Sequence, residues 1–319
     1  MSVYNIDGMV DPPEVGTHRG VPFDVYRSWD AMNASALVWG TISMKHLRGY
    51  LDGQIAQKSS KDLNFGSALH CAVLEPDLFD ERYEISRPCE APLKSGNRAG
   101  QDCGCSASFK SGGQWYCGKH AGDFAEPAES FVTPEEHARI LAAMESLRNH
   151  PAVRLVRQHG GFESSLVWEW NGIKCKSRLD KEIPPGGKCP PTIVDLKKVQ
   201  VGKATTREVE AAIANWDYHI KMSFYALAYK AIYGEMPNIV FVFIEDNFPF
   251  DINVKALDAD SLKIGLFEVE KTLLRYLDCM ESGSWPGVSY DEATGREDIS
   301  GVGLRDYVKR GYADVLNHM

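Results

Sequence analysis

The sequence predicts an α/β protein, a central mixed sheet flanked by helices and carrying a small Cys-rich insertion. Three observations lead there. Asn171-Gly172 joins two runs of alternating residues, the strongest short hairpin signal, because a type I′ turn needs φ > 0 at both central residues. Residues 238–245, Asn-Ile-Val-Phe-Val-Phe-Ile-Glu, form a near-continuous apolar run typical of a buried strand. Around these lie stretches of helical spacing, so the order is helices, hairpin and strand, helix, strands, helix.

Residues 1–30 contain Pro and Gly, are weakly patterned, and read as an irregular arm. Residues 31–319 read as a single domain, interrupted at 86–130. From 33 to 51 the pattern suits one or two short helices, and 63–75 suits a helix ended by Pro76. Between 86 and 130 Gly, Ser, Cys and Pro are frequent and apolar periodicity is lost, as in a surface insertion. Thr133-Pro134-Glu135-Glu136 is a strong helix start, with Thr as N-cap, Pro first and Glu three after the cap, for a helix to about 149. The hairpin follows, then a third strand at Thr192-Ile-Val-Asp-Leu-Lys197. A long helix spans roughly 205–233, residues 249–255 pair beside the 238–245 strand, and 258–282 read as a last long helix.

The chain has 319 residues, 44% hydrophobic, enough for a sizeable core. It lacks an apolar run of about 18 residues, so no membrane span is expected. Met1-Ser-Val-Tyr-Asn-Ile-Asp7 lacks the basic and apolar regions of a signal peptide, and the expected location is cytoplasmic. There, eight cysteines should be reduced or metal-bound rather than a disulfide framework. The net charge of −9 argues against broad coating of nucleic acid but leaves room for a locally basic channel. Lys174, Lys176, Arg178, Lys181, Lys197, Lys198 and Lys203 supply such a cluster in sequence.

A two-residue hairpin loop fixes the ladder, in which 170 faces 173 and 168 faces 175. Continued, it sets Glu163 opposite Asp180. Trp170, Trp168, Leu166, Ile173, Cys175 and Leu179 then form an apolar face, and Glu163, Asp180, Arg178, Lys176 and Lys174 the other. Opposed carboxylates are destabilising unless compensated, and a divalent cation compensates them. On the third strand Asp195 and Lys197 are two apart and share a face. Three carboxylates and a lysine in one place suit Mg²⁺ or Mn²⁺ and water-driven phosphodiester cleavage.

Asp180 followed by Asp195-Leu-Lys197 resembles the PD-(D/E)XK nuclease signature. Three further stretches resemble the exodeoxyribonuclease VIII family of phage-type recombination exonucleases. Gly66-Ser-Ala-Leu-His70-Cys-Ala-Val-Leu-Glu-Pro76 looks like its GxALHxxxLEP helix. Ala34-Ser35-Ala-Leu with Ser43-Met-Lys-His-Leu-Arg48 resembles its entry segment, and Trp216-Asp-Tyr-His219-Ile-Lys-Met-Ser-Phe-Tyr225 its helix after the catalytic strands. The resemblance covers roughly residues 30–290. It implies a PD-(D/E)XK fold and an enzyme that digests one strand of linear duplex DNA from a 5′ end, leaving a 3′ overhang. It implies His70, Asp180 and Asp195 as metal ligands, Lys197 as the residue positioning water, and Glu163 as a holder of a metal-bound water or ligand. Ser35, Ser43, Lys45 and Arg48 become candidates for a DNA 5′-phosphate, and Lys221 and Tyr225, four apart on one helix face, for further DNA contact. The family commonly has Gln where Lys221 stands. Its members act on double-stranded DNA ends, usually beside a single-strand annealing protein, and form rings, so a homo-oligomer is expected. The alternatives are a catalytically silent module that binds DNA ends or a recombination partner, and an endonuclease of the same superfamily.

Within the insertion, Cys103-Gly-Cys105 and Cys117-Gly-Lys-His120 place four soft ligands within 18 residues, the number a structural zinc site needs. Cys89 is available to replace one of them. An iron–sulfur cluster is the lesser option.

Overall fold

The computed structural model describes residues 2–55, 61–128, 130–291 and 293–297. The stretch 298–319, assigned above to the same domain, lies outside the described residues. Its centre is a six-stranded mixed sheet of β1 (Gly16–His18), β2 (Gly161–Trp170), β3 (Ile173–Ile183), β4 (Thr192–Val199), β5 (Asn238–Glu245) and β6 (Ile252–Ala256), in that spatial order. β4 and β5 run parallel and the other neighbours antiparallel. The flanking helices are α1 (Phe23–Ser28), α2 (Ala34–Ile42), α3 (Met44–Leu51), α4 (Lys61–Leu74), α5 (Pro134–Asn149), α6 (Thr206–Asn215), α7 (Tyr218–Tyr233) and α8 (Ala259–Ser282). No helix among the described residues is long and apolar enough to cross a membrane.

Local chemistry explains the boundaries. Asn171 and Gly172 have φ of 45° and 82°, so the β2–β3 turn has the two positive φ values its sequence demands. α5 opens on the expected capping box between Thr133 and Glu136. Asn33, Ser43 and Asp258 cap α2, α3 and α8 by accepting backbone N–H bonds. The segment 205–233 is not one helix. It breaks at Asp217, whose φ of 53° lies in the left-handed region that Asp tolerates better than most residues. No Gly or Pro announces that break.

Two apolar layers sandwich the sheet. On one face Leu166, Trp168, Ile173, Cys175, Leu179, Phe241 and Phe243 pack against α2, α7 and α8. On the other, Val194, Leu196, Val242 and Ile244 pack against α4 and α5. The apolar hairpin face read from the ladder is therefore core, with Trp170 at its margin.

The opposite hairpin face differs from its sequence pattern. Its charges, expected to serve a basic channel, are covered by residues 2–30 of the arm expected to be irregular. β1 pairs with β2, and Tyr26 and Trp29 pack on Val167. Lys176 is only 1% exposed and donates to the carbonyls of Tyr26, Arg27 and Trp29, the open C-terminal end of α1. Lys174 pairs with Asp11, and Arg178 donates to the Val21 carbonyl. Lys181, also buried, donates to the Gln158 carbonyl; Lys198 pairs with Asp246 and Lys203 with Glu208. The expected basic cluster is thus largely consumed by the fold, and Lys197 is the member that meets Asp195.

Candidate active site

The site begins where β3 and β4 separate. They pair at only three rungs, Lys181 with Val194, Glu182 with Ile193 and Ile183 with Thr192. The next rung would oppose Asp180 to Asp195. Opposed carboxylates destabilise a ladder, and here the strands part. Asp180 turns into the gap and accepts a hydrogen bond from the Leu196 amide at 2.8 Å. Further along β3, Met32 takes the freed edge: its N–H donates to Lys174 O, and Lys176 N–H donates to Met32 O. The gap is therefore closed off by the chain just before α2.

Glu163 arrives at the same level from β2. Pairing on either side of it, Phe162 with Lys181 and Ser164 with Leu179, keeps the register that the hairpin loop imposes. Glu163 itself has φ of 45°, a conformation rare for a residue with a long side chain, and Arg178 holds its carboxylate at 2.6 Å. α4 delivers His70, whose Nδ1 stands 3.6 Å from Asp180 Oδ2. Ligand atoms of His70, Glu163 and Asp180 all lie within 4.8 Å of one another. Asp195 is outside that trio, and its carboxylate forms an ion pair with Lys197.

The second half of the site is a cavity of about 80 Å³ between β4, β5 and α7. Asp195, Lys197, Lys221 and Tyr225 line it, together with Tyr218, Met222 and Phe241, which sequence reasoning did not single out. A signal existed for Tyr218, which is three residues before Lys221 and seven before Tyr225, one helix stripe. Lys197 and Lys221 both sit over its ring, at 5.1 and 5.6 Å from the centroid.

The electrostatics suit a cation. Burial, then the Asp195 charge, raises the Asp180 carboxyl to about 7. Burial and Asp180 raise Glu163 in the same way. Burial and Lys197 lower His70, which favours the neutral imidazole that binds metals. Burial opposes the charge on Lys197, but Asp195 and Asp180 prevail and carry it up to about 12. Tyr225 is pushed well up by burial and by Asp195, Asp180 and Glu163.

The other candidates lie outside the cavity. Ser43 is buried, caps α3 and contacts His46 Nδ1 at 2.7 Å. Arg48 bonds Asp52 at 2.9 Å and lies over Trp285. Ser35 and Lys45 are exposed on α2 and α3. None of these four lines the cavity. In the insertion, the set expected from Cys103, Cys105, Cys117 and His120 is changed by one member. Cys105 is exposed and Cys89 takes its place beside the other three. The reason is Gly104, whose φ of 71° turns the chain between the two cysteines of the Cys103–Cys105 pair.

An antiparallel hairpin, a parallel crossover to the next strand, and an acidic pair with a lysine where two strands separate together define the PD-(D/E)XK nuclease fold. The chain belongs to the family described as a PDDEXK-like domain of unknown function (DUF3799), whose model matches residues 33–293. It also shares its fold with a solved structure from Eubacterium rectale, described as that of a candidate exonuclease. That protein is 14% identical, with 90% of this chain and 97% of that chain covered at a TM-score of 0.54. A second solved structure, that of SSO0001, is 15% identical over 44% of this chain and 63% of that one, with a TM-score of 0.26 that supports no argument. No curated protein sequence matches. The family established in this way is the broad one; the likeness to exodeoxyribonuclease VIII rests on the motifs quoted from the sequence.

Proposed function

We propose that the protein is a Mg²⁺- or Mn²⁺-dependent exodeoxyribonuclease that digests one strand of linear duplex DNA from its 5′ end and leaves a 3′ overhang. One observation carries the nuclease reading: His70, Glu163 and Asp180 converge beside the Asp195–Lys197 pair where β3 and β4 part. Polarity and the duplex substrate rest on the resemblance of the sequence motifs.

The donor set fits a hard divalent ion, being two carboxylates and one imidazole, with the carboxyls held up by burial and mutual repulsion. His70, Asp180 and Glu163 would hold it, with Asp195 next to them. Bound there, such an ion polarises the scissile phosphate and lowers the pKa of its water. Lys197, protonated at neutral pH and fixed by Asp195, acts as a donor rather than a base. It orients the attacking water and opposes the charge that develops on the phosphate. Arg178 fixes Glu163, and Tyr225 and Lys221 line the wall that meets the DNA backbone. A 5′-phosphate role for Arg48, Lys45 and Ser35 rests on the resemblance of the entry segment alone, since none of them lines the cavity. The partners in this reading are double-stranded DNA ends, a single-strand annealing protein that receives the overhang, and further copies of the chain in a ring.

Linear duplex labelled at either 5′ or 3′ ends, incubated with Mg²⁺ or with EDTA, tests the proposal. Loss of the 5′ label first, only with Mg²⁺, is expected, and covalently closed circles should stay intact. Cleavage of circles would turn the assignment to an endonuclease, and inertness on both substrates to a DNA-end-binding module.

A further inference from the structure

The geometry points to a second metal centre, unrelated to catalysis: a structural zinc ion held by Cys89, Cys103, Cys117 and His120 that folds residues 87–128. The sequence pattern favours Cys105 and holds Cys89 only as a replacement for one of the four.

The insertion has its own small core of Cys89, Ala91, Cys103, Ala107, Trp115 and Cys117. None of these residues belongs to the two main apolar layers. Half of this buried core is cysteine, and Trp115 is its one large buried side chain, with Leu93, Tyr116 and Phe131 packed half-buried against it. The regular structure is three short strands, Phe109–Ser111, Gln114–Tyr116 and Glu126–Pro127. So small an element cannot exclude enough water to fold by apolar burial, and such elements need cross-links or metals.

The four donors arrive from three places. Residues 89–93 lie antiparallel to 100–105, with Cys103 N–H donating to Ala91 O at 2.8 Å and Gly104 N–H to Cys89 O at 3.0 Å. This sets Cys89 beside Cys103. Cys117 and His120 come from one tight turn, in which the His120 and Ala121 amides donate to Cys117 O at 2.9 and 3.0 Å. His120 Nδ1 stands 3.5 Å from both Cys89 Sγ and Cys117 Sγ. All four ligand atoms lie within 4.8 Å of one another. A tetrahedral zinc with bonds of about 2.3 Å to sulfur and about 2.0 Å to nitrogen sets an S···N edge of about 3.5 Å. The two sulfur–nitrogen separations already match that edge.

The donor chemistry selects the ion. Three thiolates and one imidazole are a standard set for structural zinc. A disulfide would use two of three mutually close sulfurs and strand the third beside the imidazole. All three cysteines are free and buried, whereas Cys105 is free and exposed. Binding replaces three S–H protons, released to solvent, by three Zn–S bonds, with no change of oxidation state.

The full-length protein, purified without chelator and dialysed to remove loosely held ions, should contain about one zinc per chain by elemental analysis. Cys89→Ser and Cys117→Ser should each lose it, and Cys105→Ser should keep it. Zinc absent from the wild type, iron in its place, or loss in Cys105→Ser with retention in Cys89→Ser would each overturn the assignment. Should the serine variants fail to fold, cobalt exchange into the wild type decides. Bands of tetrahedral cobalt with thiolate-to-metal charge transfer are expected, and their absence rejects the site. Withdrawal of zinc should open protease cleavage within 87–128 while the remainder of the chain stays protected; protection of that segment in metal-free protein counts against the proposal. None of these readouts involves DNA, so they stand or fall apart from the nuclease reading.

Discussion

Lys176 and Lys197 are two lysines withdrawn from bulk water on neighbouring strands, and their pKa values move in opposite directions. Lys176 lies under the N-terminal arm with three backbone carbonyls around its ammonium, and burial brings its pKa down to about 8. Lys197 lies at the opening between β3 and β4, where Asp195 and Asp180 outweigh burial and take it up to about 12. Carbonyl dipoles satisfy an ammonium without repaying its desolvation, whereas carboxylates repay it. The first arrangement holds the fold together; the second builds a site with fixed charge.

Replacing each lysine should separate these roles. Lys197→Ala is expected to reduce Mg²⁺-dependent digestion by about 10³-fold or more, with divalent-ion binding and melting temperature nearly unchanged. Asp195→Ala should do the same to activity in a folded protein. Near-normal turnover of purified Asp195→Ala would sink the mechanism. Lys176→Met should leave turnover per folded molecule intact and cost about 2–4 kcal/mol in denaturant unfolding, because three carbonyls lose their donor. A stable but inactive Lys176→Met would place that residue in the site instead.

The pH dependence sharpens the same contrast. The folded pKa of Asp180, about 7, exceeds its unfolded value near 3.8, so between these pH values the native state holds a proton that the unfolded state has lost. Stability of metal-free protein should therefore be highest below about pH 4 as far as this group is concerned, and should fall as pH rises towards 7, by on the order of 2–4 kcal/mol. Asp180→Asn should flatten that slope. For Lys176 the folded pKa of about 8 lies below the ordinary lysine value of 10.5, so its contribution to stability rises with pH across that interval. Thermal melts over pH 4–10 of wild type and both variants, without metal, read the two opposite slopes. The smallest effect belongs to the segment proposed to meet the DNA 5′ end: Arg48→Ala should lower the preference for 5′-phosphate over 5′-hydroxyl ends by a few-fold, measured as the ratio of initial rates. Digestion from 3′ ends would remove the 5′-phosphate assignment altogether.

The hairpin was legible because a two-residue Asn-Gly turn fixes the register of everything that follows, which is why the level of Glu163 and Asp180 could be read without a structure. Helices with capping signals, such as α5 at Thr133 and α8 at Asp258, were legible for the same local reason. What stayed hidden depends on distant chain. The alternation of Lys174, Lys176 and Arg178 reads as part of a basic channel until residues 2–30 fold over it. The break at Asp217 carries no Gly or Pro, and Cys89, 14 residues before Cys103 and outside any short spacing motif, could be named as a replacement but not as the one that displaces Cys105. The positions of Asp195 and Lys197 on one face followed from period two, but the separation of β3 from β4 at their level did not.

The bridge from Met32 to Lys174 and Lys176 also sets an order of events during synthesis. Residues near Met32 are made before their partner edge on β3, which exists only after about 140 further residues have been added, at about 5–20 residues per second a wait of roughly 7–30 s. Until then the arm has nothing to cover, and once β3 forms, its bare edge can pair with any passing strand. Completion of the opening between β3 and β4 therefore closes a loop of about 140 residues, and a protein truncated to lack the first thirty residues should be prone to aggregate.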